Sequence, residues 1–128
     1  MRDSMKILIV SEYDRNISEW LFGYMKQYEY VVRETTDHYE DILSRVKQMK
    51  PDMIISDICL NGGDGISLLQ ECRKQKELQD IKFVFLTAVT AQSIIDLAYE
   101  MGTDYYMMLN QEPKFLAKVL ERILEVHY

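Results

Sequence analysis

Four short segments hold the residues best able to do chemistry: Ser11-Glu12-Tyr13-Asp14, Ser56-Asp57, Leu86-Thr87-Ala88 and Leu109-Asn110-Gln111. Each ends or directly follows an apolar run. Taken singly, each has a plain structural reading. An acidic residue after a strand often caps the next helix, as Asp14 is expected to do, and a threonine finishing a strand is ordinary. Taken together they bring two carboxylates and a hydroxyl to one edge of one sheet. Convergent carboxylates suit a hard divalent cation such as Mg2+, which takes oxygen ligands and keeps several waters. They suit a bare phosphate poorly. A nucleotide site would want Gly, Ser and Thr donors after the first strand, and a dinucleotide site would want GxGxxG, which is absent. A carboxylate beside a metal can instead accept a phosphoryl group as an acyl phosphate.

The elements that must position these residues repeat five times. The apolar runs are 6–10, 30–32, 53–55, 83–86 and 105–109, several of them unbroken, as expected of strands covered on both faces. A helical stripe follows each run. The first is Ile17, Trp20, Leu21, Tyr24, Met25 and Tyr28; the second is Tyr39, Ile42, Val46 and Met49, with Asp37 and Glu40 placed like a capping box. The third is Ile66, Leu69 and Cys72, and the fourth is Ile94, Leu97, Ala98 and Met101. The fifth is Phe115, Leu116, Val119, Leu120, Ile123 and Leu124, with Pro113 in its first turn. Lys50-Pro51-Asp52 should stop the second helix, Asn61-Gly62-Gly63-Asp64-Gly65 should be a loop opening the third, and Gly102 should end the fourth. Alternating strands and helices imply right-handed crossovers and a parallel sheet. Ligands of such sheets bind outside the carboxyl ends of the strands, where all four segments lie.

Composition narrows the class. At 128 residues, 48% hydrophobic and 28% charged, the chain suits one globular domain over residues 1–128. No apolar run approaches the roughly 18 residues of a membrane helix, and nothing resembles a signal peptide, so a cytoplasmic protein is expected. A net charge of −6 argues against nucleic-acid binding by this domain. Cys59 and Cys72 have neither metal-ligand spacing nor His neighbours and read as reduced thiols used as small apolar residues.

In combination, these residues resemble the receiver domain of bacterial two-component response regulators. The likeness runs from Lys6 to about Val126, through Ile7-Leu8-Ile9-Val10-Ser11-Glu12, Lys50-Pro51-Asp52-Met53-Ile54-Ile55-Ser56-Asp57, Gly62-Gly63-Asp64-Gly65, Leu86-Thr87-Ala88 and Gly102-Thr103-Asp104-Tyr105-Tyr106. The resemblance implies a flavodoxin-like, doubly wound α/β fold with five parallel strands in the order 2-1-3-4-5. It implies that Asp57 accepts a phosphoryl group from a sensor histidine kinase or phosphotransfer protein. Mg2+ would be held by Glu12, Asp57, the backbone carbonyl of Cys59 and, weakly, Ser11. Thr87 would bond a phosphoryl oxygen, Tyr106 would turn inward behind it, and the face of the fourth helix, fifth strand and fifth helix would meet a partner or output domain. No enzyme activity beyond self-catalysed phosphoryl transfer is implied.

Two departures stand out. Receivers carry two acids after the first strand, and here the first position is Ser11. They also usually carry a lysine and a proline after the fifth strand, where counting from Gly102 places Leu109 and Asn110; matching Pro113 instead would place Glu112 there, and neither register supplies the lysine. One carboxylate and one ammonium are lost together, so pocket charge is conserved. Function is not conserved in the same way, because a charge-assisted contact is worth about 1.5–3 kcal/mol. Three readings follow: a working receiver, a pseudo-receiver acting as a phosphorylation-independent interaction module, and an unrelated flavodoxin-like enzyme or cofactor binder.

Overall fold

The computed structural model describes residues 6–10, 29–33, 37–110 and 112–127. The expected first helix and the segment Ser11-Glu12-Tyr13-Asp14 lie outside them. The described strands are β1 (Lys6–Val10), β2 (Glu29–Arg33), β3 (Met53–Ser56), β4 (Cys59–Leu60), β5 (Gly63–Asp64), β6 (Lys82–Thr87) and β7 (Tyr105–Met108). The described helices are α1 (Tyr39–Met49), α2 (Gly65–Lys74), α3 (Gln92–Glu100) and α4 (Pro113–His127).

The main sheet has the order β2-β1-β3-β6-β7, all pairs parallel. With the short β4–β5 pair set aside, this is the 2-1-3-4-5 order expected from the resemblance. Its strands alternate between two cores, as a period of two dictates. Leu8, Val10, Ile54, Phe83 and Phe85 face Ile42, Val46, Leu68, Leu69 and Ala98 on one side. Ile7, Ile9, Ile55, Val84, Leu86 and Met107 face Leu116 and Leu120 of α4 on the other. Both faces are covered, which is why the strands read as unbroken apolar runs.

Several expectations are corrected. The N-cap of α1 is His38, whose Nδ1 accepts from Glu40 N at 3.1 Å, one residue later than the Asp37–Glu40 spacing suggested. The Asn61–Gly65 loop is part of an antiparallel hairpin, β4 with β5. The fourth and fifth stripes sit shallower than their spacing suggests. Of the α3 stripe only Ala98 is fully buried, and Phe115 at the start of α4 is 46% exposed. Cys72 is buried as expected, whereas Cys59 is exposed.

α1 stops at Lys50, which takes a left-handed conformation at φ 47°, its N–H donating to Val46 O at 2.9 Å. Lys50 is the one described non-glycine residue with positive φ. A side chain there is strained by roughly 1 kcal/mol, and the exposed Lys50–Glu77 pair at 3.5 Å offsets little of it. Replacing Lys50 with Gly is therefore expected to stabilise the chain by about 0.5–1 kcal/mol. A urea midpoint that stays put or falls in Lys50→Gly counts against this account of the helix end.

Candidate functional site

β3 delivers Asp57 to the carboxyl edge of the sheet. Its backbone N–H donates to Val10 O at 3.0 Å, which carries the β1–β3 pairing one residue past the strand. The side chain is 4% exposed. Burial at that level requires hydrogen-bond donors for the carboxylate, and two converge on Oδ1: Ile58 N at 2.6 Å and Thr87 Oγ1 at 2.7 Å. Among the described residues no ammonium or guanidinium pairs with Asp57, and none donates to Oδ2.

Thr87 is positioned by the register of β6. Ser56 pairs with Phe85, so Thr87 lies two residues further along the neighbouring strand, on the same face as Phe85. Its hydroxyl donates to Asp57 and accepts from Val89 N at 3.2 Å. The carbonyl of Val89 in turn accepts from Tyr106 Oη at 2.7 Å. Tyr106 is 6% exposed, and its ring centroid lies 5.7 Å from that of Phe85. One residue, Val89, thus joins the Asp57–Thr87 pair to Tyr106 of β7 through the two peptide groups that flank its Cα. Burial pushes the Tyr106 phenol up to about 12, and the charges of Asp57 and Cys59 add to this.

The hairpin shapes the other wall. Leu60 pairs with Gly63 and Cys59 with Asp64 around a two-residue turn, Asn61-Gly62. Gly62 alone of these two has positive φ, 78°, the second central position where a type II turn demands glycine. Gly65 N donates to Ile58 O at 2.7 Å, so Ile58/Gly65 is a hydrogen-bonded pair. Antiparallel pairs alternate, so Cys59/Asp64 is a non-hydrogen-bonded one. The Cys59 carbonyl is therefore left out of the ladder. Asp64 caps α2, its Oδ1 accepting from Ser67 N at 2.7 Å. Gly65 lies against the site: a Cβ there would overlap the Asp57 carbonyl oxygen and come 2.7 Å from Phe85 Cε1.

Of the expected site residues, Asp57, Thr87 and Tyr106 are brought into one hydrogen-bonded chain, and Cys59 lies on the adjoining hairpin. Glu12 and Ser11 lie outside the described residues. Leu109 follows β7, its N–H donating to Thr87 O at 3.1 Å, and its half-buried side chain packs with Met107 and Val119 on the α4 side. The described donors fit a hard cation as far as they go: they are oxygens, Asp57 Oδ2 accepts from no described donor, and the Cys59 carbonyl is unused by the ladder. Among the described residues alone, no three His, Cys, Asp or Glu side chains gather to hold a metal. Sequence reasoning missed the Val89 peptide and the part played by Gly65. A glycine eight residues after a strand-end aspartate, just before a helix, was the available signal for the second.

Compared with known proteins, residues 7–121 match the response regulator receiver domain family. The chain belongs to that family. It is similar to the transcriptional regulatory protein BaeR of Escherichia coli O6:H1 (strain CFT073), 29% identical over 119 residues that cover 93% of this chain and 48% of BaeR. It is similar also to YvcP of Bacillus subtilis (strain 168), an uncharacterized transcriptional regulatory protein, 30% identical over 94% of this chain and 48% of YvcP. The receiver thus spans about half the length of these curated relatives. In fold it matches the signal receiver domain of a DNA-binding response regulator from Colwellia psychrerythraea 34H, with a TM-score of 0.83, 15% identity, and coverage of 95% of this chain and 99% of that one. No helix among the described residues is long and apolar enough to cross a membrane.

Two outcomes follow from this geometry. Gly65→Ala is expected to cost about 2–3 kcal/mol by forcing the hairpin away from Asp57, measured as a loss in urea stability with an unchanged fold by circular dichroism. A loss under 0.5 kcal/mol would remove Gly65 from the site. The second concerns alkali. The Tyr106 and Tyr39 phenols are pushed up from 10.0 to about 12, and the Cys72 thiol from 9.0 to about 11, burial being the first cause in each. Raised values mean that the fold favours the neutral forms. Stability is then full below about pH 9 and lost as pH rises towards about 12. Urea midpoints across that range should fall steadily, and less steeply in Tyr106→Phe; a flat profile contradicts the burial argument.

Proposed function

We propose that this receiver accepts a phosphoryl group on Asp57 from a sensor histidine kinase or a phosphotransfer protein, and that the transfer resets Thr87 and Tyr106. The observation that carries this reading is the division of labour at Asp57: Oδ1 is held by Ile58 N and Thr87 Oγ1, while Oδ2 accepts from no described residue. Oδ2 is the nucleophile. It forms the new O–P bond as the donor's P–N bond breaks, and the leaving imidazole takes up a proton.

Mg2+, when bound, supplies charge neutralisation for the phosphoryl oxygens. Glu12, Asp57 and the Cys59 carbonyl would hold it, with Ser11 a weak partner. The Ile58 N–H keeps the carboxylate oriented throughout. The Thr87 hydroxyl re-aims from Oδ1 to a phosphoryl oxygen, an acceptor of higher charge. Val89, bonded to Thr87 through its N–H and to Tyr106 through its carbonyl, moves with it. The signal leaves by the surface of α3, β7 and α4, where Leu97, Tyr99 and Phe115 are exposed and available to a partner or output domain. We further propose that residues 1–128 form a single domain, that it works in the cytoplasm, and that it binds neither nucleic acid nor membrane itself.

The working reading is tested by intact mass after incubation with Mg2+ and acetyl phosphate, or with the cognate kinase. One phosphoryl adduct is expected, lost in Asp57→Asn and reduced by at least about tenfold in rate on removal of Mg2+. An adduct that persists in Asp57→Asn sinks the assignment.

A second reading, a phosphorylation-independent interaction module, is favoured by two observations. Leu109 offers no charge to a phosphoryl group, and Thr87 already donates to the unmodified Asp57 with Tyr106 buried behind it. On this reading wild type yields no adduct under the same conditions, and partner binding is unchanged in Asp57→Ala.

A further inference from the structure

The hairpin that carries Cys59 has a weakness built into it: Gly62 and Gly63 stand side by side. Glycine loses more backbone freedom on ordering than any other residue, and two-residue strands pair too briefly to hold themselves. The hairpin is held from outside, by the first turn of α1. Tyr39 N donates to Asn61 O at 2.7 Å, and His38 forms an isolated parallel bridge with Asn61. The Tyr39 ring lies against Gly63, so close that a Cβ there would come 2.6 Å from its Cγ and Cδ1. The His38 ring lies over Gly62 in the same way, 2.8 Å from a Cβ built there. Tyr39 is only 8% exposed although it opens a helix. It belongs to the buried cluster on this side of the sheet, and the absence of a side chain at Gly63 leaves room for its ring.

We propose that Tyr39 is a positioning residue for the divalent-cation site, acting through the hairpin to fix the Cys59 carbonyl beside Asp57. The inference rests on the cation reading given above. It follows from three features already described. The Cys59 carbonyl is left out of the hairpin ladder, so neighbouring strands do not aim it. The turn next to it contains two glycines, so the chain does not aim it either. The contacts that bear on it from α1 are the Tyr39 ring on Gly63, the Tyr39 N–H on the Asn61 carbonyl, and His38 beside Asn61 and Gly62. The ring matters and the hydroxyl does not, because it is the ring carbons that meet Gly63. A ligand carbonyl that must be ordered on binding weakens the site, since fixing one backbone residue offsets about tenfold in affinity.

The test compares wild type, Tyr39→Phe, Tyr39→Ala and Gly63→Ala in the full chain, with three readouts: amide exchange at residues 59–64, Mg2+ affinity by calorimetry, and urea stability. Tyr39→Phe should match wild type in exchange and affinity. Tyr39→Ala should speed exchange in 59–64 and weaken Mg2+ by about three- to tenfold, while the amides of β1, β3 and β6 stay protected. Gly63→Ala should weaken Mg2+ in the same direction, because the new methyl displaces the ring, and should add little in the Tyr39→Ala background. This milder variant carries the test if Tyr39→Ala fails to fold. Wild type that binds Mg2+ while Tyr39→Ala binds it equally well overturns the positioning role alone. Wild type that binds no Mg2+ overturns the cation reading, and the positioning role with it.

Discussion

A carboxylate withdrawn from water must find its hydrogen bonds inside the protein, and at Asp57 that requirement organises the structure around it. Each bond to a charged acceptor is worth about 1.5–3 kcal/mol, and an unmet buried charge costs more than that. The donors come from different sources. Ile58 N is the next peptide along the chain, fixed by the way β3 turns into the hairpin. Thr87 Oγ1 arrives from another strand, 30 residues later, and reaches Asp57 only because β6 lies beside β3 in the register that pairs Ser56 with Phe85. A one-residue slip would put Thr87 on the opposite face, among the residues packed by α4. The Asp57–Thr87 bond therefore depends on strand order, register and the start of the hairpin at once.

The same bond is the inner end of a longer connection. The Thr87 hydroxyl donates to Asp57 and accepts from Val89 N, while the Val89 carbonyl, in the next peptide group, accepts from Tyr106. β7 is an edge strand, and the N–H of Tyr106 is met by the Tyr99 hydroxyl of α3 at 3.1 Å. On the proposed reading, a displacement of the Thr87 hydroxyl would be passed to α3 and β7 through these short, directional contacts. The exposed Leu97 and Tyr99 lie on the helix at the far end of this chain of hydrogen bonds, which joins that surface to the carboxylate.

The parts of this arrangement that were legible in the sequence are those governed by local pattern. Strands covered on both faces must be apolar throughout, so β1, β3, β6 and β7 could be read from short runs, and the sheet edge then picked out Asp57 and Thr87, whereas Tyr106 came only from the family resemblance. The failures have tertiary causes. Asn61-Gly62 carried a turn signal, but strands of two residues are too short for any period to show, and the hairpin read as a loop. Asp37 and Glu40 matched a capping pattern, yet the backbone enters α1 one residue later, because His38 and Tyr39 are pinned to the hairpin. Phe115 kept helical spacing and is nonetheless exposed, since Leu116 and Ala117 take the buried face of that turn. The need for glycine at position 65 came from Asp57, a residue that no helix pattern could connect with it.

Leu109 shows how one absent charge redistributes these roles. The two-residue alternation of β7 sends Tyr105 and Met107 to the α4 side and Tyr106 and Met108 to the other, and Leu109 continues the first set. It packs as a core residue, and no described cation answers Asp57 in its place. Thr87 is then the only described side-chain donor to the carboxylate. The hydroxyl that a phosphoryl group would claim is the same one that satisfies the resting state. Moving it forfeits about 1.5–3 kcal/mol at Oδ1 before any new bond to the phosphoryl group is counted. With a lysine present, that loss could be shared between two donors. Without one, it falls wholly on Thr87, so the energy that stabilises the unmodified site would also oppose the proposed switching.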